Sequence, residues 1–98
     1  MSETVLSAAE VDQALDEQGL GWTREDDELV TTVTLRDFAG SLAFVNAVGA
    51  AAEAANHHPD IDIRWNTVRL TLTTHSAGGL TVLDLALAAA IDRLRPLG

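Results

Sequence analysis

Two short segments of alternating character, Asp60 to Trp65 and Val68 to Thr74, constrain the fold of this chain more than any other feature. In the first, Ile61, Ile63 and Trp65 alternate with Asp62 and Arg64; in the second, Val68, Leu70 and Leu72 alternate with Arg69, Thr71 and Thr73. Such a period of two belongs to strands that put one face on a core and the other in water. Only Asn66 and Thr67 need lie between them, which predicts an antiparallel hairpin with asparagine, tolerant of positive φ, in its turn. A one-sided sheet requires a helical layer over its apolar face.

Helical patterns lie before, between and after the strand segments. Ser7-Ala8-Ala9-Glu10 is a capping box, followed by the stripe Val11, Ala14, Leu15 and Gln18, with Gly19 where a left-handed C-terminal residue is wanted. Leu20 to Arg24, anchored by Trp22, and Leu29 to Leu35 are expected strands around the acidic turn Glu25-Asp26-Asp27-Glu28. Asp37 caps a second helix in which Phe38, Leu42, Val45, Val48 and Ala52 set an apolar stripe widened by Phe44 and Ala51. Asn56 and Pro59 end it. Gly78-Gly79 breaks the chain before Thr81, which caps a third helix with Val82, Leu85 and Ala89 among its apolar positions to Leu94, and Pro96 stops it. The expected fold is α+β, in the order α-β-β-α-β-β-α, with a four-stranded antiparallel sheet and helices on one face, in a single domain over residues 1–98.

At 98 residues one core is the ceiling. The absence of cysteine removes disulfides, thiolate metal sites and cysteine nucleophiles. A formal charge of −9 repels nucleic acid and anionic membrane surfaces and argues against phosphate-rich substrates, leaving a neutral or cationic small molecule as the better fit. Met1-Ser2-Glu3-Thr4 has no basic segment leading into an apolar run, and the apolar stretches fall short of the roughly 20 residues that span a bilayer, so a cytoplasmic location is expected.

All three histidines fall between positions 57 and 75. Imidazole is the side chain best suited to proton transfer near neutrality. His57 and His58 follow the end of the second helix, whose terminal carbonyls favour a protonated ring, although helix ends also attract histidine for that reason alone. His75 shares parity with Arg69, Thr71 and Thr73, away from the core. Glu53 precedes His57 by four residues and can support it on the helix surface. Asp84 follows Thr81 at capping-box spacing, enough to explain it without chemistry. Three histidines and a carboxylate are acceptable zinc ligands in type, but no spacing fixes two on one helix face, and no metal site is expected. Ser76 lies in no nucleophile elbow.

The segments Glu53-Ala54-Ala55-Asn56-His57-His58-Pro59-Asp60, Trp65-Asn66-Thr67-Val68, Leu72-Thr73-Thr74-His75, Gly79-Leu80-Thr81 and Asp84, with Arg36-Asp37-Phe38 before them, closely resemble the pterin-4a-carbinolamine dehydratase family over nearly the whole chain. The resemblance implies a small α+β fold, oligomeric in well-known members as a dimer or tetramer, acting without metal or cofactor. The implied reaction eliminates water from carbon 4a of a 4a-hydroxytetrahydropterin to give the quinonoid dihydropterin, as in recycling of the tetrahydrobiopterin cofactor. It implies His57, His58 and His75 as catalytic residues, and Asp84, Glu53, Trp65 and Thr74 as substrate-binding ones. The expected partners are the pterin and further copies of the chain, with neither nucleic acid nor membrane. Relatives of this fold that assemble the carbon-fixing carboxylase give the rival expectation of a non-catalytic binding module.

Overall fold

The computed structural model describes residues 4–96. Met1–Glu3, on which the expectation of a cytoplasmic location partly rested, lie outside the described residues. The element order is the expected one: α1 (Ala8–Gln18), β1 (Thr23–Glu25), β2 (Glu28–Thr34), α2 (Phe38–Ala55), β3 (Asp60–Arg64), β4 (Thr67–Leu72) and α3 (Val82–Asp92). The strands form one antiparallel sheet in the order β1-β2-β4-β3. Leu29, Val33, Val68, Leu70 and Leu72 turn to the helical layer and meet Val11, Phe44, Val48, Leu85, Ala88 and Ile91. Full burial of a leucine such as Leu29, Leu70 or Leu72 stabilises the fold by about 1.5–3 kcal/mol before entropy is charged.

The caps form as the residue types dictate. The Ser7 hydroxyl accepts from the Glu10 amide at 3.1 Å, while the Glu10 carboxylate accepts from the Ser7 amide at 2.8 Å. That Ser7 amide bond, and then the Ser7 hydroxyl, holds the Glu10 carboxyl below its ordinary value of 4.5. A carboxyl lowered by folding contributes stability that is complete above the unfolded value and disappears as pH falls through the folded one. Glu10→Gln should therefore flatten the acid side of the stability curve. In melts taken from pH 6 downward, the wild-type Tm should fall more steeply than the variant's below 4.5, and parallel curves would contradict the assignment.

Several details differ from the expected boundaries and faces. β1 starts at Thr23 rather than Leu20, because the Leu20 amide closes the end of α1 on the Leu15 carbonyl and the Gly21 amide bonds the Asp92 carboxylate at 2.8 Å instead of a neighbouring strand; the Trp22 indole N–H donates to the same carboxylate at 2.8 Å. β4 stops at Leu72, and α3 stops at Asp92 rather than Leu94. On α2 the buried line is Ser41, Phe44, Val48 and Ala52, and Phe38 and Leu42 are exposed. Ser41 is drawn inward because its hydroxyl donates to the Trp65 carbonyl at 2.6 Å, which rotates the apolar stripe that periodicity alone suggested. Val82, in the first turn of α3, is exposed as well. By length and composition α2 could cross a bilayer; here its buried line packs into the core.

The β3–β4 turn also departs from expectation. Arg64 pairs with Thr67, so the connection is Trp65-Asn66, and it is Trp65 that takes positive φ, at 51°. Left-handed backbone is uncommon for a bulky residue and persists only where its surroundings impose it. They do so here: Ser41 holds the Trp65 carbonyl, the Asn66 side chain donates to the Leu35 carbonyl at 3.2 Å, and the Leu35 amide donates to the Asn66 carbonyl at 2.7 Å. Trp65 is left 64% exposed. β3 is an edge strand, so Ile61 is exposed although it pairs with the buried Leu70.

Candidate active site

Antiparallel pairing of β3 with β4 brings the histidines to one end of the sheet. Asp60, the first residue of β3, pairs with Thr71 near the end of β4, so the segments carrying His57 and His75 meet the sheet at the same end. The end of α2 sets the position of His57. Asn56 adopts left-handed backbone, φ 49°, its amide bonds the Glu53 carbonyl, and the His57 amide bonds the Ala52 carbonyl at 3.1 Å. This doubly bonded helix terminus fixes the residue that follows the asparagine. His75 sits exposed in the turn after β4. That turn is closed by Thr74, whose amide donates to the Gly79 carbonyl and whose carbonyl accepts from Ala77, Gly78 and Gly79.

At the centre lies Asp84, fully buried in the first turn of α3. Its Oδ2 accepts from the Thr81 amide at 2.9 Å and from the Thr74 hydroxyl at 2.7 Å. Its Oδ1 lies 2.6 Å from His57 Nε2. Asp84 thus caps α3 through one oxygen and holds His57 through the other. Two donors on Oδ2 and the positive end of α3 suit a carboxylate anion. An ionised carboxylate only accepts, so the ring proton of a neutral His57 is on Nε2, which leaves Nδ1 with a lone pair. The His57 side chain retains 11% exposure, enough to reach the rim.

His58 is exposed, and its Nε2 bonds the Glu53 carboxylate. Glu53 thus supports His58, not His57 as its helical spacing suggested, because the left-handed turn at Asn56 carries His57 under the sheet end toward Asp84. Thr74 is buried, on the same parity as Leu70 and Leu72. Asp84 and Thr74 are both sealed from solvent, behind His57 rather than on the rim. Trp65 lies at the other end of β3, across five residues or about 16 Å of strand. The structure brings together His57, His58, His75, Glu53, Thr74 and Asp84 and leaves Trp65 apart. Thr81, which the sequence offered only as a cap, belongs to the same network, its hydroxyl 2.9 Å from that of Thr74. Capping-box spacing was the signal for it.

Concavities of the surface include one over the outer sheet face at Glu28, Asp60, Asp62 and Arg69, and one between Leu35, Phe44, Leu94 and Pro96. Among the described residues no group of three or more histidines and carboxylates is placed to hold a metal ion.

A histidine backed by a buried carboxylate at a sheet end is an arrangement able to move a proton. The chain belongs to the family described as Pterin 4 alpha carbinolamine dehydratase, whose sequence profile matches residues 4–94. It is 55% identical over 89 residues to a Chloroflexus aurantiacus protein, covering 91% of this chain and 95% of that one, and 50% identical over 94 residues to one from Nocardia farcinica, covering 96% and 98%; both are candidate pterin-4-alpha-carbinolamine dehydratases by name. The fold matches a crystal structure of a transcriptional coactivator/pterin dehydratase from Brucella melitensis, with TM-score 0.88 and 28% identity over 95% of this chain and all of that one. A pterin dehydratase-like protein identified as a RuBisCO assembly factor in the alpha-carboxysome shares the fold, with TM-score 0.64 and 24% identity over 81% of this chain and 92% of that one.

Proposed function

We propose that this protein eliminates water from carbon 4a of a 4a-hydroxytetrahydropterin, giving the quinonoid dihydropterin. The observation that carries the reading is the bond from His57 to the fully buried Asp84, at the sheet end that also presents His75. The C4a–O bond breaks, the oxygen leaves as water after taking a proton from an acid, and a base takes the proton of N5 as the C4a–N5 double bond forms. His57, with Asp84 behind Nε2 and Nδ1 free, is the base: the carboxylate stabilises the imidazolium that forms. His75, exposed on the neighbouring turn, is the acid, and His58, held by Glu53, orients the pterin ring. Asp84 and Thr74 act through His57 rather than by touching substrate, and Trp65 of the same chain lies too far along β3 to join it.

Stopped-flow absorbance with chemically generated 4a-hydroxytetrahydropterin tests this directly. Dehydration should accelerate above the uncatalysed rate in proportion to protein concentration. A flat response from folded protein would overturn the reading in favour of a binding module of the assembly-factor kind. The same reading carries a cytoplasmic location and a homo-oligomer, the latter because exposed Phe38, Leu42 and Trp65 flank the contact between α2 and the hairpin and form an apolar surface a second copy would cover. Light scattering should give a multiple of the chain mass, and a monomer would contradict that part.

A further inference from the structure

We infer that Thr74 is a positioning residue that sets both working histidines at once, through its hydroxyl for His57 and through its backbone for His75; the inference rests on the dehydratase reading. The proton order around its hydroxyl is determined. Asp84 Oδ2, a carboxylate oxygen, can only accept, so the 2.7 Å contact is Thr74 O–H donating to Asp84. The 2.9 Å contact between the two threonine hydroxyls must then be Thr81 O–H donating to Thr74. The Thr81 oxygen in turn accepts the Leu83 amide at 3.2 Å. A one-way series of donated bonds thus runs from the opening of α3 through Thr81 and Thr74 and ends on Asp84, whose other oxygen accepts the proton of His57 Nε2.

Without the Thr74 hydroxyl, Asp84 Oδ2 keeps only the Thr81 amide, and the carboxylate is free to turn about its own axis and release its hold on one His57 tautomer. The backbone of Thr74 has the second task. Its amide and carbonyl close the turn from Thr74 to Gly79, and His75 is the next residue along. Because the Thr74 side chain is buried against α3, the start of that turn is fixed relative to Asp84, and so His75 relative to His57. The distance between the two imidazoles is set by one residue that never meets the substrate.

Thr74→Val keeps the shape and removes the hydroxyl, while Thr74→Ser keeps the hydroxyl. In the full chain, Thr74→Val should lower kcat by roughly 10- to 100-fold with KM little changed, by analogy with the loss when the outer hydrogen-bond partner of a metal-ligating histidine is removed. Thr74→Ser should stay near wild type. The imidazole nitrogen spectrum of His57 should show one neutral tautomer in the wild type and the serine variant, and a mixture in the valine variant. A folded valine variant with wild-type kcat and a single His57 tautomer would overturn the inference. Should valine prevent folding, the wild-type proton spectrum decides: a slowly exchanging Thr74 hydroxyl resonance supports the bond to Asp84, and a rapidly exchanging one overturns it. If the wild-type protein gives no acceleration of dehydration, the dehydratase reading falls, and the nitrogen spectra still decide the role of Thr74.

Discussion

Replacing Asp84 by alanine should destabilise the protein by about 3 kcal/mol, because the Thr74 hydroxyl and the Thr81 amide are left buried without their acceptor and His57 loses its partner. For a domain of this size that is a fall of roughly 12 to 24 °C in Tm. Asp84→Asn separates the structural role from the chemical one. An amide is nearly the shape of the carboxylate and its oxygen can still receive the two donors from Thr74 and Thr81. The amide nitrogen then faces His57 Nε2 and donates to it, which forces the ring proton onto Nδ1. The asparagine variant should therefore melt much closer to wild type than the alanine variant yet lose roughly 10²- to 10⁴-fold in kcat, the scale of general acid–base catalysis. Thermal melts and single-turnover stopped flow on the two variants check this. Equal losses of stability, or an asparagine variant with full turnover, would contradict the division.

His57→Ala should cost roughly 10²- to 10⁴-fold in kcat, with KM little affected, because the base acts as the proton leaves N5 rather than in binding the ring. His75→Ala should fall in the same range, and the two losses should not add in the double variant if both groups serve one transition state. His58→Ala should act mainly on KM, since His58 stands exposed on the Glu53 carboxylate and orients rather than transfers. The measurement is a stopped-flow concentration series for each variant. Undiminished turnover in the His57 and His75 variants would remove the role assignment.

Much of this arrangement is legible in the residues themselves. Alternation in Val68–Leu72 gives β4 and its buried face, and, carried two residues further, it turns Thr74 inward. The spacing from Thr81 to Asp84 marks the opening of α3, and the charge preference of a helix end marks His57 and His58. Three things are not legible, each for a physical reason. Periodicity treats Ser41 as polar and places Phe38 and Leu42 inside, whereas the hairpin carbonyl of Trp65 needs a donor and pulls Ser41 inward. Asparagine is the residue expected at positive φ, but the bonds of Asn66 to Leu35 on both its side chain and backbone leave Trp65 to absorb the turn. Helical spacing pairs Glu53 with His57, whereas the left-handed Asn56 swings His57 away to Asp84 and leaves Glu53 to His58. In all three, a long-range polar contact or a single backbone angle overrides a local rule.

The most direct single measurement is the two-bond nitrogen–proton correlation spectrum of the His57 imidazole in the wild-type protein, at a pH where the ring is neutral. If Asp84 holds the ring for proton transfer from substrate, Nε2 carries the proton in slow exchange with water and Nδ1 is bare. A His57 ring protonated on Nδ1, or one averaging freely between tautomers, would contradict it.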